Sequence, residues 1–73
     1  MTREEVIGKN IMLRRLERGY SQENLSTLTG WSRKEISRYE RGKIKRLNYD
    51  FLKSVAIVFE IEVEELEKKD FIV

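Results

Sequence analysis

Among 73 residues the chain has no cysteine, no histidine and no proline. Without cysteine there is no disulfide framework and no thiolate-rich zinc site. Without histidine the commonest general base and a common metal ligand are both missing. A catalytic centre would need carboxylates, a serine–lysine pair or a bound metal. Asp50 stands alone, and the glutamates from Glu60 to Glu67 alternate with Val and Leu as a solvated helix face would. The four glycines, Gly8, Gly19, Gly30 and Gly42, are scattered and make no phosphate loop or nucleotide fingerprint. Apolar runs are only a few residues long, too short to span a membrane, and the opening MTREEVIGKN lacks the apolar core of a signal peptide. These absences lead to the expectation of a cytoplasmic, non-enzymatic protein with no cofactor and no metal.

Charge is plentiful and unevenly placed. The net +2 comes from 15 Lys/Arg against 13 Asp/Glu. Up to Arg46 there are twelve cations against six carboxylates, and after it three against seven. Between Trp31 and Arg46 seven cations face two carboxylates. A basic cluster beside an acidic one predicts an oriented contact with a polyanion; taken alone, such a run is as easily a solvated face. The length allows one small domain, residues 1–73, with a marginal core best built from closely packed helices.

Local signals divide the chain. Thr2 caps a first helix to Arg18, with Glu5 as its box partner. Ile7, Ile11, Arg15 and Arg18 share one face of it. Val6, Met12, Leu13 and Leu16 form a second apolar face, with Arg14 nearby. That face needs a cover: either the apolar tail, residues 70–73 with Phe71-Ile72-Val73, or a partner protein. Ser21 and Ser32 each stand at a helix start with Glu23 and Glu35 close by, and Ser32-Arg33-Lys34-Glu35 has the spacing of a capping box. Gly30 sits where a helix ends in the left-handed region. A helix Gln22–Thr29 should bury Leu25 and Leu28. The next helix has only Ile36 and Tyr39 apolar, three apart, against a crest of Arg33, Lys34, Ser37, Arg38 and Arg41. Such a helix suits the major groove of DNA. Trp31 fits a plug between helices better than a base contact. Asn48 caps a fourth helix, Tyr49–Phe59, with Tyr49, Leu52, Val55, Ala56 and Phe59 on its buried face. A fifth is expected over Val63–Lys69, its acidic start and basic end suiting the macrodipole.

The pattern Gly19-x-Ser21-Gln22-x-x-Leu25, Gly30-x-Ser32, Ile36-Ser37-x-Tyr39-Glu40-Arg41-Gly42-Lys43 resembles the Cro/lambda-repressor-like helix-turn-helix family of DNA-binding domains. The resemblance runs from about Ile7 to Leu66. It implies an all-α, compact five-helix lambda-repressor-like domain whose helices 2 and 3 form the motif, residues 21–41. It also implies a small transcriptional regulator, a repressor by analogy, with Arg15 paired to Glu40 and Gln22 on a phosphate. Two features depart from the family: Arg14 stands where leucine is usual, and the proline often found near Leu47 is missing.

Double-stranded DNA is therefore the expected partner. Arg33, Lys34, Ser37 and Arg38 are the expected base-contacting set, arginine matching the N7 and O6 acceptors of guanine. Glu35 either accepts from a cytosine amino group or completes the cap. Gln22, Ser32, Arg41, Lys43, Lys45 and Arg46 are the expected phosphate-contacting set. One copy has a small footprint, so a homodimer on a pseudo-palindromic site is expected, joined through helix five, the end of helix four and the tail. The competing reading is a protein-interaction module, an antitoxin or partner of another regulator, using the Val6/Met12/Leu13/Leu16 face.

Overall fold

Each helix starts at a residue that satisfies its open N–H groups. In the computed structural model, which describes residues 1–69, Thr2 caps α1 (Arg3–Glu17). Glu5 N–H donates to Thr2 Oγ1 (3.1 Å), and Thr2 N–H donates back to Glu5 Oε1 (2.8 Å). Ser21 caps α2 (Gln22–Thr29), but its reciprocal partner is Asn24, not Glu23. Ser32 caps α3 (Arg33–Glu40) by accepting from Glu35 N–H. The returning half of that box is not made, because the Glu35 carboxylate turns to Arg38 instead. Asn48 caps α4 (Tyr49–Phe59), its side-chain oxygen accepting from the N–H groups of Asp50 and Phe51.

The all-α class stands, and among the described residues there is no strand. The five-helix count does not stand. In place of a helix over Val63–Lys69 there is a 3-10 turn, Val63–Glu67, and Lys68 is already extended (φ −76°, ψ 138°). Two causes are visible. No side chain caps the turn at Glu62, and buried Asn10 of α1 donates from Nδ2 to the carbonyls of Leu66 (2.7 Å) and Lys68 (2.8 Å). Those bonds tie the segment to α1 in an open course that a regular α-helix would not follow.

The core draws on every element: Ile7 and Ile11, Leu25, Ile36 and Tyr39, Phe51, Leu52, Val55 and Phe59, and Leu66. Burying each such side chain contributes about 1.5–3 kcal/mol before ordering entropy is set against it. Tyr39 stacks on Phe51 (centroids 3.9 Å, 15°), and Trp31 meets the same ring edge-on (5.4 Å, 79°). Trp31 is thus a half-buried plug, and its Nε1 donates to Ser54 Oγ (3.3 Å).

Several burial expectations are corrected. Leu28 is 52% exposed and Tyr49 is 58% exposed. Leu52, Val55, Ala56 and Phe59 are buried as expected, but Phe51 takes the remaining core place instead of Tyr49, the two lying on opposite borders of that stripe. Val6 is fully buried, so it drops out of the outer face of α1. What remains there is half-buried Met12 and Leu13 beside Leu16, which is 56% exposed. Arg14 is half-buried too, its Nε enclosed without a hydrogen-bond partner among the described residues. The tail expected as a cover lies outside those residues. Among the described residues no helix is long and apolar enough to cross a membrane.

Candidate nucleic-acid interface

The turn between α2 and α3 is short and fixed from several sides. Gly30 (φ +81°) takes the left-handed conformation that reverses the chain, and its N–H donates to Ser26 O (2.9 Å). Trp31 N–H donates to Thr29 Oγ1 (3.2 Å), while the Ser26 hydroxyl donates to the Trp31 carbonyl. With the turn held, α3 lies with Ile36 and Tyr39 fully buried. Its opposite side then faces outward. Arg33, Lys34, Arg38 and Arg41 are exposed, and Ser37 is half-buried between them.

Tyr39 ties the following loop to the same frame. Its hydroxyl oxygen accepts from Asn48 N–H (2.8 Å). Burial raises the Tyr39 pKa against the opposing effect of that bond, so the phenol stays neutral. Lys43 N–H donates to Arg38 O and Gly42 N–H to Tyr39 O (both 3.0 Å), closing α3. Lys43, Lys45 and Arg46 follow, all exposed. The cationic crest and the cationic loop therefore leave one folded edge in sequence order.

Beneath the crest is a buried ionic junction. Arg15 Nε and Nη2 grip the Glu40 carboxylate (2.6 and 3.0 Å), and Arg15 Nη1 donates to Tyr20 O (2.8 Å). The two side chains are only 10% and 3% exposed. Gln22 Nε2 joins from α2, donating to Glu40 Oε1 (3.0 Å). Side chains of α1, α2 and α3 therefore converge on one carboxylate. The geometry is bidentate and carries extra hydrogen bonds, the condition under which a buried pair offsets its desolvation.

The candidate residues differ in how they are held. Arg33, Lys34, Lys43, Lys45 and Arg46 stand outward on exposed positions. Arg38 leans on Glu35 (3.4 Å), a surface pair worth about 0–1 kcal/mol that a stronger acceptor displaces easily. Arg41 bends back to Ser37 O (3.3 Å). Ser32 Oγ is committed as an acceptor to Glu35 N–H, leaving its proton to donate. Gln22 is half-buried with one amide proton on Glu40, so only its second proton can point outward. Among the described residues no three His, Cys, Asp or Glu side chains converge as metal ligands would.

Two residues with structural weight escaped the sequence reading. Asn10 holds the C-terminal turn, and its signal was a lone polar residue beside Ile11 in the inward-facing part of α1. Gly8 meets the backbone of α3 directly, and its signal was a glycine in an otherwise good helix-forming run.

Comparison with known proteins places these features. A family model described as Helix-turn-helix matches residues 11–66. The chain is 38% identical over 61 residues to the HTH-type transcriptional regulator SlrR of Bacillus subtilis (strain 168), a match covering 84% of this chain and 40% of SlrR. It thus spans about two-fifths of the length of that relative. Among solved structures, the N-terminal DNA binding domain of SinR from Bacillus subtilis is similar at a TM-score of 0.84 and 28% identity, covering 93% of this chain and 99% of that one. SinR in complex with DNA is similar at a TM-score of 0.79 and 31% identity, covering 85% and 98%.

Proposed function

The chain belongs to the Cro/lambda-repressor-like helix-turn-helix family, and we propose that it is a sequence-specific, non-catalytic DNA-binding regulator of transcription, acting in the cytoplasm as a repressor. Residues 1–73 act as one domain, with α3 of the motif 21–41 in the major groove. The observation that carries this reading is α3 itself: its apolar side is buried in the core while Arg33, Lys34 and Arg38 face outward from a rigidly bonded frame. Similarity to SinR in complex with DNA supports it.

In this reading Arg33, Lys34, Ser37 and Arg38 meet base edges. Arg41, Lys43, Lys45 and Arg46 meet phosphates with Ser32 and the outward proton of Gln22. A homodimer reads a pseudo-palindrome with half-sites about 34 Å apart. The end of α4 and the 3-10 turn offer it an apolar patch, where Ile57 is 75% exposed. Glu60, Glu62, Glu64 and Glu65 rim that patch, with Lys68 paired to Glu65 (2.7 Å). The excess of carboxylates over the one lysine there makes self-association stronger as salt screens it, whereas DNA binding weakens with salt.

The test is selection from a random duplex library at near-physiological salt. Enrichment of a pseudo-palindrome is the expected outcome, and Arg38→Ala should relax preference at one base position at a cost of about 1–3 kcal/mol. Failure of any sequence to enrich overturns the reading. It would favour a protein-interaction module, for which the specific observation is exposed Leu16 beside half-buried Met12 and Leu13 on α1.

A further inference from the structure

Gly8 sits inside α1, where glycine is a poorer helix former than alanine. Its own helix gives no reason for it. The reason lies across the contact with α3. A Cβ built on Gly8 would lie 2.0 Å from the Tyr39 carbonyl oxygen, 3.1 Å from the Tyr39 carbonyl carbon and 3.2 Å from that of Glu40. All three are backbone atoms, so no side-chain rotation relieves the overlap. A second contact of the same kind lies one turn earlier on α1. Gly42, just past α3, rests against Glu5, where a Cβ would come within 2.9 Å of Cγ and 3.2 Å of Cα. Glu5 is itself fixed by the capping box with Thr2. The first half of α1 is therefore seated directly on the last turn of α3 and on the root of the cationic loop.

We propose that Gly8 is a positioning residue for DNA reading. With no side chain between the helices, α1 sets how far α3 stands out from the domain and how Arg33, Lys34 and Arg38 are aimed. It also sets where the Lys43–Arg46 loop leaves. This rests on the reading of α3 as the groove-entering helix. A Cβ at residue 8 forces α3 outward as a body by roughly an ångström, since packed interiors transmit such shifts. Base readout depends on fork geometry and suffers; phosphate contacts from flexible lysines and arginines adjust and persist.

The experiment compares wild type, Gly8→Ala and Val55→Ala, the last a core change that lowers stability on α4, an element packed chiefly on α2, the 3-10 turn and α1. Each is titrated, well below its own melting temperature, with the wild-type-selected duplex and with an unrelated duplex, at several salt concentrations. Gly8→Ala should lose about tenfold in the ratio of selected to unrelated affinity, the scale of one base contact, with its salt slope within about one unit of wild type. Val55→Ala should keep the wild-type ratio. A wild-type ratio in folded Gly8→Ala overturns the proposal, and so does an equal loss in Val55→Ala. If Gly8→Ala is unfolded in buffer, the comparison is repeated in trimethylamine N-oxide, which favours the folded state. A variant that stays unfolded there also overturns it, since the proposal requires a folded domain with a displaced helix. If wild type itself prefers no sequence, the reading of α3 fails and this proposal falls with it, whereas a wild-type preference that folded Gly8→Ala shares overturns the proposal alone.

Discussion

Replacing Arg15 by methionine removes three donors at once: two from the Glu40 carboxylate and one from the Tyr20 carbonyl. Glu40, 3% exposed, keeps only the Gln22 amide. Stranding one partner of a buried pair costs about 3–5 kcal/mol. A chain of 73 residues has a total stability of roughly 4–11 kcal/mol. The single change should therefore remove a large part of it and lower Tm by roughly 12–40 °C, at 4–8 °C per kcal/mol for a domain of this size. Glu40→Leu alone should be similarly harmful, because it buries the guanidinium without its anion. The double variant Arg15→Met/Glu40→Leu leaves no buried charge and should recover most of the loss. Urea denaturation of the four proteins followed by circular dichroism gives the cycle directly. Single variants costing less than about 1 kcal/mol, or a double variant as unstable as the two losses added, would refute the argument.

Asn10→Ala leaves the Leu66 and Lys68 carbonyls without their buried donor and should cost about 1–3 kcal/mol; hydrogen exchange should speed up first across Val63–Glu67, and uniform acceleration would contradict this. Glu60 ends α4 in the left-handed region (φ 58°, ψ 45°), so Glu60→Gly should raise stability by about 1 kcal/mol despite losing the exposed contact to Arg18; an unchanged or lower Tm would show the strain to be absent. Glu5, stabilised as an anion by the Thr2 N–H, and Glu67, bonded by Arg3, both have lowered pKa values. A depressed folded pKa gives stability that is present above the unfolded value and lost as pH falls through the folded one. Tm should therefore drop on acidification below about pH 4.5, less so in Glu5→Gln. The same acid profile in both proteins would remove Glu5 from that account.

What was legible in the sequence was what is decided locally. The bounds of α2 and α4 follow from Ser21, Gly30 and Asn48, whose side chains or backbone satisfy the helix ends within a few residues. The crest of α3 was legible because only two apolar residues compete to face the core. The rest was settled at a distance. The C-terminal turn looked helical because nothing near it in sequence reveals that Asn10 holds its carbonyls. Gly8 looked like punctuation because its reason lies in the backbone of residues 39 and 40. The Arg15–Glu40 pair came from family resemblance, since periodicity marks Arg15 as inward-facing but cannot name its anion. Tyr49 and Phe51 were exchanged because they flank the buried Leu52/Val55/Ala56/Phe59 stripe on opposite sides, and periodicity does not say which border the core takes.

The bonds from Asn10 to Leu66 and Lys68, and from Arg3 to Glu67, join residues 56, 58 and 64 positions apart. On the ribosome, where chains grow at about 5–20 residues per second, Asn10 waits roughly 3–12 s for its acceptors to be made. Throughout that interval the flank of α1 that the turn covers lacks its cover. Because Leu66 and Lys68 hold the turn on α1 of the same domain, this closure belongs to the last stage of the domain's folding, after α1 to α4 have all been made.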